Sequence, residues 1–278
     1  MTHDTELLKQ VAVRAAHAAG TLLLERFGSG EQHNVTSKST PTDLVSEADV
    51  EAERTIRELL GELRPDDGFL GEESGGEVGS SGLRWVVDPL DGTVNFLFGI
   101  PQWCISVAVQ DEQGSLVGAI YDPARGELFT AIRGEASTLE GPLGTRTLGT
   151  RTLGTRTLTS PLRDDLATAM VATGLAYDAR VRAAQAQVLA RLIPRVRDIR
   201  RFGSAALDLA WTATGRFDAY YERTVKPWDI AAGTLICASA GLEIVELQER
   251  QDLPWGILVA PPALCEALLE LVDAGGGI

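Results

Sequence analysis

The sequence predicts an α+β N-terminal part followed by an α/β C-terminal part. Two helical runs precede five short strand-like runs separated by turn clusters, and beyond residue 160 short apolar strands alternate with helical stretches. The 278 residues suffice for one large unit or two packed ones sharing a core. The expected division is 1–158 and 159–278.

Each element has its own pattern. Leu8, Val11, Ala15, Ala19, Leu22 and Leu23 recur at helical spacing and predict a helix over 5–27. Ala48, Ala52, Ile56, Leu59, Leu60 and Leu63 predict a second over 46–63, with Glu47, Glu51, Arg54 and Glu58 on its opposite face. Ser46-x-x-Asp49 is a capping-box signature at its start. Strand-like runs at 68–70, 83–87, 104–110, 116–121 and 127–132, with turn clusters at 111–114 and 122–126, predict helices on an antiparallel sheet. Farther on, strands at 169–172 and 257–260 alternate with helices at 180–193, 204–214, 228–241 and 261–273. Between the halves, GTRTL occurs in three copies over 144–158, too short a unit for a solenoid, and predicts a lengthened hairpin or surface loop. Its Arg146, Arg151 and Arg156 also allow a basic flap.

Composition narrows the function. Thirty-nine acids against 25 bases give a net charge of −14, which argues against nucleic acid or an anionic membrane as the main partner and leaves room for bound cations. His3, His17 and His33 are the only histidines, so serine–histidine triads and histidine-rich zinc sites are disfavoured. Cys104, Cys237 and Cys265 are odd in number and form no CxxC pair, pointing to unpaired thiols in a reducing compartment, with the cytoplasm as the expectation. No signal peptide or membrane-spanning run is expected.

The chemistry concentrates in Trp85-Val-Val-Asp88-Pro-Leu-Asp91-Gly-Thr93-Val-Asn95-Phe. A strand ending in an acid delivers it to the sheet edge, and Pro89 keeps Asp88 extended. Asp91-Gly92 then turns the chain, so that two carboxylates, the Leu90 carbonyl and the Thr93 hydroxyl converge. Gly71-Glu72-Glu73-Ser74 is a second acidic turn after a strand, and Lys226-Pro227-Trp228-Asp229 opens an apolar-periodic helix. Carboxylates without His or Cys select Mg²⁺ or Mn²⁺ over zinc, and such ions commonly meet a substrate phosphate. Taken singly, Asp229 also reads as a helix cap, Asp49 as a capping-box acid, Asp91-Gly92 as an ordinary turn and Glu72-Glu73 as solvated surface.

Their joint order resembles the inositol monophosphatase family of Mg²⁺-dependent, lithium-sensitive phosphatases. The residues that carry the resemblance are Asp43-Leu-Val-Ser46-Glu-Ala-Asp49, Gly71-Glu72-Glu73-Ser74, Asp88-Pro-Leu-Asp91-Gly-Thr93-Val-Asn95-Phe, Gly203-Ser204-Ala205-Ala206 and Trp228-Asp229. They span essentially the whole chain. The resemblance implies a layered α-β-α-β-α sandwich of the inositol monophosphatase and fructose-1,6-bisphosphatase type, and hydrolysis of an inositol monophosphate by in-line attack of a metal-activated water. It implies two or three Mg²⁺ per site, replaceable by Mn²⁺, with Glu72, Asp88 and the Leu90 carbonyl on the first and Asp88, Asp91 and Asp229 on the second. A further, weaker metal would sit near Glu72, with Asp49 reaching it through water. Thr93, Asp49 and Glu72 would be catalytic. Gly92 and Thr93 amides would receive the phosphate, while Glu222, Asp91 and the Ser204-Ala205 backbone would meet the sugar or inositol ring. Lys38 matches a position near the metal-site loop. A homodimer is implied by resemblance alone, as is a small phosphate ester as partner.

Ser46 departs from the commoner threonine of the family but keeps the hydroxyl. Histidinol phosphate, fructose 1,6-bisphosphate and a nucleotide 3′-phosphate remain alternative substrates, and a regulatory binding protein retaining the fold is an alternative of another class. A cysteine-phosphatase loop is excluded because Gln110, Glu243 and Leu271, none of them arginine, stand six residues after the cysteines. No DxD motif or GxxxxGK loop occurs.

Overall fold

A computed structural model describes residues 3–27, 35–37, 44–142, 146–147, 151–153, 156–158 and 163–273. The chain runs through α1 (Thr5–Arg26), the antiparallel pair β1 (Val35–Ser37) and β2 (Leu44–Ser46), α2 (Glu47–Leu63), β3 (Gly68–Gly71), β4 (Gly75–Glu77), β5 (Arg84–Asp91) and the short α3 (Thr93–Leu97). It continues through β6 (Cys104–Asp111), β7 (Gly114–Asp122), β8 (Glu127–Ile132), β9 (Thr138–Glu140), β10 (Arg146–Thr147), β11 (Arg151–Leu153) and β12 (Arg156–Leu158). The C-terminal elements are β13 (Met170–Thr173), α4 (Ala179–Leu192), β14 (Asp198–Arg200), α5 (Ala205–Ala213), β15 (Ala219–Arg223), α6 (Pro227–Ser239), β16 (Glu243–Leu247), β17 (Gly256–Ala260) and α7 (Pro262–Val272).

Two sheets organise the molecule, one ordered β10-β9-β8-β7-β6-β5-β3-β4 and one β14-β13-β15-β17-β16. Strand alternation assigns the layers. On β5 and β6, Trp85, Val87, Ile105, Val107 and Val109 face α1 and α2, while Val86, Cys104 and Ala108 face α5 and α6. On β15 and β17, Tyr220, Ile257 and Val259 face the same middle layer, while Tyr221, Leu258 and Ala260 pack with α4 and α7. The order is therefore helix, sheet, helix, sheet, helix, the expected layered sandwich. α5 and α6 are apolar nearly all round because a sheet covers each side.

The N-terminal sheet is mixed, a correction to the antiparallel expectation: β3 pairs parallel with β5. β4 brings the chain back to the start of β3, and residues 78–83 then cross that end to the strand's other edge, a crossing tied down by Ser80 and Ser81 amides on the Asp66 carbonyl. The C-terminal sheet is mixed too, because β16 joins β17 as an antiparallel pair without a crossover helix. Within the repeat, β10 pairs with β9 and β11 with β12, both antiparallel, and the rest of 143–162 lies outside the described residues.

Candidate active site

The register of β5 on β6 decides where the acids point. Asp88 pairs with Ser106 and Asp91 with Cys104, so β5 carries one residue more than β6 over this interval. In a regular strand, residues three apart face opposite sides. The bulge turns Asp91 to the side of Asp88, toward the middle layer. Pro89 sits inside it, where its missing N–H costs no ladder bond. Gly92 follows at φ 102°, a left-handed backbone that lets the chain leave the strand and enter α3 at once.

Each carboxylate is then anchored by one oxygen. Asp88 Oδ1 accepts from the Leu90 amide at 3.0 Å, and Asp229 Oδ2 accepts from the Lys226 amide at 2.7 Å. Asp229 is thus the third residue of α6 rather than its N-cap, with Lys226 in the cap position and Pro227 opening the helix. Asp91 Oδ2 accepts from the Ser204 hydroxyl and the Ala206 amide, both at 2.7 Å, at the positive end of α5. Glu72 leaves β3 on a turn held from below by Glu53 of α2, whose two carboxylate oxygens accept from the Glu73 amide at 2.8 Å and the Ser74 amide at 2.7 Å.

Asp49 serves two groups. Its Oδ2 accepts from the Ser46 amide at 2.9 Å and the Ser46 hydroxyl at 2.6 Å, closing the start of α2, and its Oδ1 accepts from the Thr93 hydroxyl at 2.8 Å. The capping reading of Asp49 is met, and its second oxygen is bonded to Thr93. The two halves are stitched beside the site by Asn95, whose Nδ2 donates to the Gln102 and Phe202 carbonyls, each at 2.7 Å.

These elements enclose a cavity of about 540 Å³ lined by Glu72, Asp88, Leu90, Asp91, Gly92, Thr93, Ala205, Glu222 and Asp229, all named by the sequence. Ser204 is buried behind it on Asp91, and Asp49 stands behind Thr93. Lys38 and Asp43 lie outside the described residues. Arg201, Leu175–Asp178, Thr224 and Lys226 also line the cavity and were not foreseen. Neither was Tyr220, although residues two apart on a strand share a face and Glu222 was already in view.

Burial raises Asp88, Asp91, Glu222 and Asp229. Asp88 is held well above the usual carboxylate range by burial and then by the charges of Glu72, Asp91 and Asp229. Asp229 is pushed up by burial and by Asp91, and Asp91 by burial against the pull of Ser204 and the α5 amides. Burial and Asp91 lift Glu222 to about 7. An all-oxygen set that resists its own ionisation fits a hard divalent cation, which reverses the local charge. Asp88 Oδ2 and Asp229 Oδ1 carry no hydrogen bond among the described residues. Among the described residues, no three His, Cys, Asp or Glu side chains form a group that could hold a metal ion.

A sequence profile described as the inositol monophosphatase family matches residues 4–275. The chain belongs to the inositol monophosphatase family. Within it, an inositol-1-monophosphatase of Mycobacterium leprae is 42% identical over 282 residues, covering 99% of this chain and 92% of that protein. A protein named Nus factor SuhB from Xylella fastidiosa is 41% identical, covering 83% and 78%. The crystal structure of the extragenic suppressor protein suhB from Bartonella henselae superposes with a TM-score of 0.84 at 33% identity, over 97% of this chain and 100% of that one. Membership makes this chain a phosphatase, a hydrolase of phosphate monoesters. Among the described residues no helix is long and apolar enough to cross a membrane.

Proposed function

We propose that the protein hydrolyses an inositol monophosphate to inositol and phosphate, using Mg²⁺ held by Glu72, Asp88, the Leu90 carbonyl, Asp91 and Asp229. The observation that carries this reading is the convergence of these groups, Thr93 and Glu222 on one cavity. When bound, the cations neutralise phosphate charge and acidify a water.

The chain's own residues do the rest. The Thr93 hydroxyl donates to Asp49, leaving its lone pairs for the attacking water, whose proton passes toward Asp49. Amides of Gly92 and Thr93 receive the phosphate. Glu222 accepts hydrogen bonds from leaving-group hydroxyls, and the Ala205 backbone lines the same end of the cavity. Ser204 acts through Asp91. The acids come from both sides of the 158/159 division, so packing of the two parts is itself a requirement for activity. Buried free thiols at Cys104, Cys237 and Cys265 support a reducing compartment such as the cytoplasm. The resemblance supports lithium inhibition and a homodimer.

A panel of phosphate esters with Mg²⁺ tests the reading. Inositol 1-phosphate is expected to give the highest kcat/KM. A clear preference for histidinol phosphate, fructose 1,6-bisphosphate or a nucleotide 3′-phosphate would reassign the substrate. The name of the Xylella relative favours one second reading, a regulatory role through partners. An Asp88→Asn variant that keeps the cellular role without phosphatase activity would establish it.

A further inference from the structure

We infer that Tyr220 and Gly174 clamp the Glu222 carboxylate toward the cavity and so set a preference for leaving groups rich in hydroxyls. This rests on the substrate-side role given to Glu222 above. Tyr220 and Glu222 stand two apart on β15 and share the face between the sheets. Tyr220 is fully buried, and its hydroxyl donates to Glu222 Oε2 at 2.9 Å.

The second jaw is a missing side chain. Thr173 of β13 pairs with Tyr221, which brings Gly174, the next residue, beside Glu222. A Cβ at 174 would lie 1.9 Å from Glu222 Oε1, 2.0 Å from its Cδ and 2.1 Å from its Oε2. The carboxylate therefore fills the space that any side chain at 174 would take.

The surroundings of Glu222 explain why a clamp is needed. Acids face it from three neighbouring elements: Asp91 at the end of β5, Asp208 of α5 and Asp229 of α6. Asp208 is buried, and neither of its carboxylate oxygens has a hydrogen-bond partner among the described residues. Arg201, on the cavity wall, supplies opposite charge. Tyr221 belongs to the other face of the strand. Tyr220 is thus the direct donor to Glu222 among the described residues, favouring its ionised form and fixing one oxygen. A ring hydroxyl then meets a carboxylate already aimed, and a site built to bond hydroxyls rejects leaving groups that lack them.

The test compares Mg²⁺-loaded wild type, Tyr220→Phe, Gly174→Ala, Glu222→Gln and the Tyr220→Phe/Glu222→Gln double variant on inositol 1-phosphate and p-nitrophenyl phosphate. Tyr220→Phe and Gly174→Ala are expected to lower the ratio of kcat/KM between the two esters about tenfold, chiefly through KM. The double variant is expected to show no loss of ratio beyond Glu222→Gln. Where wild type prefers inositol 1-phosphate, an unchanged ratio in the single variants, or an additive double variant, overturns the clamp. Where Gly174→Ala fails to fold by circular dichroism, the near-isosteric Tyr220→Phe decides. Infrared titration of the Glu222 carboxylate separates the two claims: upward movement in Tyr220→Phe supports the clamp even where wild type shows no preference for inositol 1-phosphate, an outcome that sinks the substrate reading instead. An unmoved titration overturns the clamp.

Discussion

Thr93 Oγ1 donates to Asp49 Oδ1 at 2.8 Å across 44 residues of sequence, joining the start of α3 to the first turn of α2. The bond ties a hydroxyl on the cavity wall to a carboxylate already held by Ser46. Thr93→Ala is expected to lower kcat by about two to three orders of magnitude while changing the Mg²⁺ dissociation constant by less than about threefold. Calorimetric titration beside steady-state kinetics measures both, and equal losses in the two would remove Thr93 from the proton path.

Asp88 illustrates a conflict between stability and function. Its carboxylate is buried among Glu72, Asp91 and Asp229. Asp88→Asn is expected to raise the melting temperature of metal-free protein by about 3 to 8 °C and to abolish hydrolysis in the presence of Mg²⁺. Calorimetric melting in chelator checks the sign. Destabilisation there would mean that the hydrogen bond from the Leu90 amide outweighs the repulsion.

Among the described residues, Glu53 is hydrogen-bonded to the amides of Glu73 and Ser74, on the turn that carries Glu72. Replacing it with Gln turns one acceptor into a donor that faces an amide, so the turn presenting Glu72 loosens. Mg²⁺ affinity is expected to fall about tenfold, with kcat at saturating Mg²⁺ within about threefold of wild type. A variant that binds Mg²⁺ normally would separate Glu53 from Glu72.

The pH dependence of metal-free stability follows from acids raised by burial. Glu222 moves from 4.5 to about 7, and Asp208 lies well above 3.8. The folded state then holds more protons than the unfolded state, so each contribution is complete below the unfolded value and is lost as pH rises through the folded one. For Glu222 the loss falls between about pH 4.5 and 7. Melting temperature without Mg²⁺ is expected to decline across that window, and Glu222→Gln to flatten the decline. A curve rising from pH 5 to 7 would contradict the sign.

How much of this was readable beforehand varies with the kind of signal. Apolar spacing located α1, α2 and the long strands closely, since burial on one face imposes a period that survives in sequence. The acids of the DPLDGT segment and the distant Trp-Asp pair were legible because several ordered residue types must coincide. Tyr220, Gly174 and Arg201 were not. Their roles depend on which strand lies beside which, and a tyrosine two residues before an acid, or a glycine closing a strand, is ordinary by itself. The parallel pairing of β3 with β5 escaped for a similar reason: turn clusters show that the chain reverses, but not that six residues after β4 carry it across to the other edge of β3.

The extra residue between Asp88 and Asp91 makes this stretch sensitive to length in a way substitutions do not probe. Deleting one residue there would return the strand to plain alternation: Asp88 and Asp91, then two apart, would still share a face, but the bulge and one of Pro89 and Leu90 would be gone from between them. The segment is measured as much as it is composed. Farther along, the same chain carries GTRTL three times over. There the chain repeats in whole units, whereas between Asp88 and Asp91 a single residue sets the path of the backbone.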